Sequence, residues 1–178
     1  MENKTKTFKI AVLGEHGVGK TALIRQFISQ SFSENYRFEV GINISVKVIS
    51  INETNLKLII WDLAGEKLSL PLPDPYLNIM DGIVYAIDHC DTEKLDKNIL
   101  LLQRFKNNNH TPLVVALNKF DLSNDEVVYH SVKSAMDYKV IPTSARNGLN
   151  VDCLFHNLAN EITMYDHDTK ILNQSYFI

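Results

Sequence analysis

The chain has 178 residues, of which 45% are hydrophobic and 22% charged, and its net charge is −3. This length suits one domain with a real core, and the acidic balance excludes a basic nucleic-acid footprint. Cys90 and Cys153 are far apart and in no CxxC pattern, which argues against a disulfide scaffold or zinc site and for reduced thiols. In chain order, FKIAVL (Phe8 to Leu13) is a short β-rich apolar run ending at a glycine, and predicts a buried strand. ALIRQFI follows with Leu23, Ile24, Phe27 and Ile28 at helical spacing. VGINISVKVISI and LKLIIW flank the polar turn NETN and predict an antiparallel hairpin. GIVYAI, LVVAL and KVIPT are further strands. Leu95, Ile99, Leu102 and Phe105 share one helical face, as do Val151, Leu154, Phe155, Leu158 and Ile162. Strands alternating with helices predict a three-layer α/β fold: a mostly parallel six-stranded sheet, one antiparallel edge strand, and helices on both faces. Ligands in such sheets bind beyond the carboxyl ends of the strands.

No apolar run approaches a membrane span, and MENKTKT lacks a signal-peptide core. Glu2 and the terminal SYFI offer neither a myristoylation nor a prenylation box. The expectation is a cytoplasmic monomer without a lipid anchor of its own, so that any membrane association is indirect. Its divisions are an extension at 1–7, a domain at 8–162 and a tail at 163–178.

Residues Gly14 to Thr21, GEHGVGKT, match G-x-x-x-x-G-K-[ST] between a predicted strand and a predicted helix. In this P-loop the backbone of His16, Gly17, Val18, Gly19, Lys20, Thr21 and Ala22 would cradle phosphates. Lys20 would reach the terminal phosphates, and the Thr21 hydroxyl would bind Mg2+. The loop alone does not choose between ATP and GTP. Asn118-Lys119-Phe120-Asp121 follows the strand LVVAL. The Asp121 carboxylate can accept from the N1 and N2 groups of guanine, whereas adenine leaves it unsatisfied. Ser144-Ala145-Arg146 follows KVIPT, and the Ala145 N–H is placed to meet guanine O6. A P-loop kinase or ATPase is disfavoured by these two stretches, since no acceptor-site signature accompanies them.

With these motifs in this order, the sequence resembles the Ras-like small GTPases, and most closely their Rab branch. IIWDLAG, VGINI and KLIIW look like the Rab versions of those segments, and the likeness runs from about Phe8 to Ile162. It implies the P-loop NTPase G-domain fold and binding of GTP and GDP with Mg2+. Asn118, Lys119 and Asp121 would bind the base with Ser144, Ala145 and Arg146 beside it, although the family more often has lysine where Arg146 stands. Phe32, as a bare residue a core candidate, falls where the family sets a ring against the guanine. Effector and regulatory proteins would meet the chain through 34–45 and 62–80.

The resemblance also exposes departures. Family members cut GTP by positioning and electrostatics. Asp62 would hold Mg2+ through water, and the Gly65 N–H would contact the γ-phosphate. Glu39 stands where the family places a threonine on Mg2+ and the γ-phosphate, and Glu66 stands where it places a water-orienting glutamine. Ionised glutamate only accepts hydrogen bonds. At ~4 Å a like-charge pair costs roughly 4 kcal/mol at an effective dielectric of 20. Yet Glu66 can also take a proton from water or swing away. His16 is either a solvent-facing loop residue, an obstruction to an activating protein's arginine finger, or a donor to phosphate. Pro71, Pro73 and Pro75 disfavour a helix after Lys67. Two functions follow: a GTP/GDP switch with slow hydrolysis, in which Lys20, Gly65 and Glu66 carry the chemistry, or a hydrolysis-deficient nucleotide-holding adaptor.

Overall fold

Strand β1, Lys6–Gly14, is buried on both faces through its second half, as a central parallel strand must be. The computed structural model describes residues 5–29, 37–39, 42–63, 79–108, 110–123 and 125–175. After β1 come helix α1 (Lys20–Ser29) and strands β2 (Arg37–Glu39), β3 (Ile42–Ile51), β4 (Thr54–Asp62) and β5 (Gly82–Asp88). A short 3-10 turn at Thr92–Lys94 leads into α2 (Leu95–Asn108), followed by β6 (Leu113–Asn118), α3 (Glu126–Ala135), β7 (Lys139–Pro142) and α4 (Val151–Ser175).

The sheet order is β2-β3-β4-β1-β5-β6-β7. Strands β4, β1, β5, β6 and β7 run parallel, and β3 is antiparallel to β4. This is the expected three-layer α/β arrangement of six main strands with one reversed. A seventh strand, β2, pairs outside β3. Its three residues carry too little alternation to announce a strand from sequence.

The β3–β4 hairpin closes on Asn52 and Glu53, between the paired residues Ile51 and Thr54. Both turn residues have positive φ, 47° and 63°, the two-residue turn whose twist matches its strands. Alternation along β1 then divides the core. Phe8, Ile10 and Val12 face α1 and α4, where Phe27 and Phe155 stack with ring centroids 4.0 Å apart. Ala11 and Leu13 face the other way, with Ile83, Tyr85 and Ile87 of β5 against α2 and α3.

Helix α3 arises where the apolar pattern predicts no element. Asp125 caps it, its carboxylate accepting from the N–H groups of Val127 and Val128. Val132 is buried, whereas Val127 is exposed, so the helical stripe is narrow. Helix α4 runs unbroken from Val151 to Ser175 and so passes through residue 162. Among the described residues no helix is long and apolar enough to cross a membrane.

Candidate functional site

The ends of β1, β4, β5, β6 and β7 meet along one sheet edge. Register places Gly14 beside Ala86, Val12 beside Asp62, Asp88 beside Asn118 and Leu117 beside Pro142. Every motif whose residues are described lies at this edge.

Backbone geometry sets the phosphate loop. Gly14 has φ +139°, and a Cβ there would lie 2.2 Å from the Ala86 carbonyl oxygen. Gly19 has φ +96°, and its Cβ would lie 2.5 Å from Asn118 Nδ2. A side chain at either position would push the loop off its neighbouring strand. Helix α1 starts directly at Lys20, so its unpaired N–H groups and dipole face the loop.

Lys20 is buried, and its Nζ donates to the carbonyls of Gly14 (2.9 Å) and Glu15 (2.8 Å). Burial lowers its pKa, while the nearby Asp62 carboxylate pulls it back up. The ammonium is thus held by two neutral acceptors, which an anion can outcompete. Thr21 Oγ1 donates to Asp62 Oδ2 at 2.6 Å. The other oxygen, Asp62 Oδ1, is buried with no hydrogen-bond partner among the described residues. Such an orphan carboxylate oxygen beside a hydroxyl suits a cation. Among the described residues no group of three or more His, Cys, Asp or Glu side chains can hold a metal. That donor set fits Mg2+, which takes one or two protein oxygens and completes its shell with phosphate and water.

Asn118 joins the loop to the far motifs. It is 1% exposed. Its Nδ2 donates to the Val18 carbonyl at 2.8 Å, and its Oδ1 accepts from the Ala145 N–H at 3.1 Å. The Ala145 N–H, placed from sequence on guanine O6, is therefore engaged by Asn118 in this structure. Thr143 Oγ1 makes a longer contact to Asn118 Oδ1, 3.4 Å. Ser144 Oγ donates to Asp121 Oδ1 at 2.6 Å and accepts from the N–H groups of Arg146 and Asn147. Among the described residues, the polar contact of Asp121 Oδ2 is the exposed Arg146 guanidinium at 4.0 Å. One carboxylate oxygen is thus fixed and the other is open to a ligand. Lys119 adopts φ +64° and its Nζ donates to Asp88 Oδ2 at 2.7 Å.

A cleft of about 630 Å³ lies beside these groups, lined by His16, Gly17, Gly19, Lys20, Thr21 and Ala145. Ala22, Arg25 and Gln26 extend it along α1. A larger cavity of about 810 Å³, lined by Lys106, His110, Tyr138 and Glu161 among others, holds none of the motif residues. We assign the chemistry to the smaller one. Arg25 carries no motif signal. Its helical spacing from Thr21, i to i+4, is the one clue that it faces the cleft.

Not every expected residue is placed. Phe32, Gly65, Glu66, Pro71, Pro73 and Pro75 lie outside the described residues. Glu39 ends β2, its backbone paired with Ile42. Asn43 pairs with Phe38 on one side and Asp62 on the other. Two strand spacings, roughly 10 Å, therefore separate the β2 backbone from that of β4.

A profile of the Ras family matches residues 9–164. The Ras-related protein Rab-7b of Mus musculus is 31% identical, covering 88% of this chain and 83% of its own length. The Ras-related proteins Rab-7b of Bos taurus and of Paramecium octaurelia are 31% and 28% identical, covering 88% and 94% of this chain and 82% and 87% of their own lengths.

Proposed function

Because the chain belongs to the Ras family of small GTPases, nearest its Rab branch, we propose that it binds GTP and GDP as a switch and hydrolyses GTP slowly. One observation carries this reading: Asn118 bonds to Val18 and Ala145 together, so the phosphate loop and the purine pocket form one connected site. A triphosphate would draw the Lys20 ammonium off the Gly14 and Glu15 carbonyls, while the N–H groups from Gly17 to Ala22 wrap its oxygens. Asp121 selects guanine through its open carboxylate oxygen, and Lys119, Ser144, Ala145 and Arg146 frame the base. By the family resemblance, Phe32 would set its ring against the guanine. Thr21 and Asp62 would hold Mg2+, which when bound neutralises charge on the phosphates. Gly65 and Glu66 carry the γ-phosphate contact and the placing of water. Partners engage the segments 34–45 and 62–80.

Displacement of a fluorescent GDP analogue tests the base choice. GTP and GDP should compete and ATP should not. Equal competition by ATP refutes the pocket.

A second reading is a nucleotide-holding adaptor that does not turn over. The pairing of Glu39 in β2, about two strand spacings (roughly 10 Å) from β4, supports it, as does glutamate at position 66. Single-turnover phosphate release from labelled GTP separates the two. A rate no faster than that of GTP in buffer refutes the hydrolysing switch.

A further inference from the structure

His89 directly follows β5 and continues the alternation of Ile83, Tyr85 and Ile87 toward the α2–α3 face. Its side chain is 2% exposed, yet among the described residues neither Nδ1 nor Nε2 has a hydrogen-bond partner. Buried imidazoles ordinarily satisfy at least one nitrogen, so this ring calls for an explanation. Burial lowers its pKa, opposed by the Asp125 and Asp88 carboxylates.

Its contacts tie it to the purine pocket. The His89 backbone N–H donates to the Asn118 carbonyl at 2.9 Å. Its ring packs on Phe120 with centroids 4.7 Å apart. Phe120 stands between Lys119 and Asp121, donates its N–H to the Thr143 carbonyl at 3.0 Å, and meets Tyr129 of α3 edge-on. His89 is thus the floor beneath the loop that carries Lys119 and Asp121.

The charged groups facing it are already engaged. Asp88, on its own strand, accepts from Lys119 Nζ and from the Cys90 N–H. Asp125 caps α3 through the N–H groups of Val127 and Val128. A proton on the ring would create a buried cation without an acceptor. Relief requires the ring to reach water or one of these carboxylates. Either movement displaces Phe120 or breaks a partner's existing bond.

We propose that His89 is a proton-sensitive positioning residue of the base-recognition loop, and that acidification opens this loop and speeds release of the guanine nucleotide. The proposal rests on the guanine-pocket reading above. The sign follows from linkage. The open loop takes up its proton near the ordinary histidine value of about 6.5, and the closed loop only at lower pH. The closed state therefore holds its full advantage above about pH 6.5 and loses it as the pH falls further. One linked proton allows at most about a tenfold change per pH unit.

The test uses the full chain loaded with a fluorescent GDP analogue, with release followed from about pH 7.5 to about 5.5. Wild type should accelerate several-fold below about pH 6.5, within that tenfold-per-unit limit. His89→Leu and His89→Gln should each change less than about twofold, since neither side chain titrates. A flat wild-type profile, or variants that accelerate with wild type, overturns the proposal. Should neither variant fold, the 15N shifts of the wild-type histidine rings decide. One imidazole still neutral below about pH 6 in the loaded protein supports the proposal, and titration of all six rings at the ordinary value overturns it. No nucleotide uptake at the upper pH overturns the pocket reading along with this one, whereas uptake with pH-independent release overturns this one alone.

Discussion

Replacing Asn118 with alanine tests the connection on which the site depends. The side chain is 1% exposed, and its two good hydrogen bonds, to the Val18 carbonyl (2.8 Å) and from the Ala145 N–H (3.1 Å), cross from β6 to two separate loops. Alanine leaves both backbone groups without their partner. The buried Val18 carbonyl costs about 1–3 kcal/mol when left unsatisfied and the part-buried Ala145 N–H costs less, so the pair costs roughly 2–4 kcal/mol. That is a large part of a typical domain stability of about 5–15 kcal/mol. For a chain of this size each kcal/mol moves Tm by about 2–4 °C, so the drop should be at least about 4 °C. Thermal unfolding of the nucleotide-free protein measures it directly and separates the structural bond from any contact with ligand. GDP release from the same variant should be faster, because the phosphate loop and the purine pocket are no longer joined. A Tm within about 2 °C of wild type would refute the reasoning, since it would mean that water or a relaxed loop replaces both bonds without cost.

Four further outcomes follow. Asp121→Asn should weaken guanine-nucleotide affinity about tenfold or more, the loss expected for a hydrogen bond to a charged group of about 1.5–3 kcal/mol; unchanged affinity in the displacement assay refutes the pocket. Phe155→Ala removes a fully buried ring stacked on Phe27 and should cost about 3–5 kcal/mol in denaturant unfolding, so a loss below about 1 kcal/mol contradicts the packing. Glu66→Gln should raise single-turnover hydrolysis about tenfold or more if like-charge repulsion limits the rate, tenfold being about 1.4 kcal/mol; an equal or lower rate rejects repulsion as the cause. The fourth concerns Glu161, whose pKa is raised by burial against the opposing pull of Lys139. The folded state therefore favours its protonated form, and its ionisation is destabilising at neutral pH. Glu161→Gln should raise Tm at about pH 7.5 by a few degrees at most, with the gain vanishing as the pH falls to about 4. A gain that persists in acid would assign the effect to packing instead.

Much of this was legible because strong physical constraints leave strong marks. The P-loop requires glycines where a Cβ would strike Ala86 or Asn118, and those glycines stand at fixed spacing. The hairpin turn was legible for the same reason: Asn and Glu beside a polar flank mark a reversal between two apolar runs. Helix α3 left a weaker mark, because Val127 and Val128 adjoin, only a narrow stripe is buried and its cap is a single aspartate. Three-residue β2 left none. The double role of Asn118 was hidden for a different reason. A tetrapeptide shows that an asparagine is present, but its bonds to Val18 and Ala145 span 100 and 27 residues. Only the sheet order brings those positions together.

On the proposed reading, the departures at Glu39 and Glu66 should have unequal consequences for binding and for cutting. The groups proposed to hold a nucleotide are mutually braced: Lys20 on two carbonyls, Thr21 on Asp62, Ser144 on Asp121. None of these bonds involves position 39 or 66. Without the family's threonine and glutamine, affinity should rest on these bonds, and the cost should fall on the transition state, where water must be oriented beside developing negative charge. A carboxylate at position 66 opposes that charge unless it takes the proton. A carboxylate at position 39, while its backbone is held in β2, supplies no hydroxyl to the cation. The two substitutions should thus separate in kinetics, with guanine-nucleotide affinity near that of a family member carrying both usual residues and the chemical step slowed. Equal losses in affinity and in hydrolysis would show that segment 34–45 contributes to the grip itself, and would move Glu39 from the chemistry to the binding site.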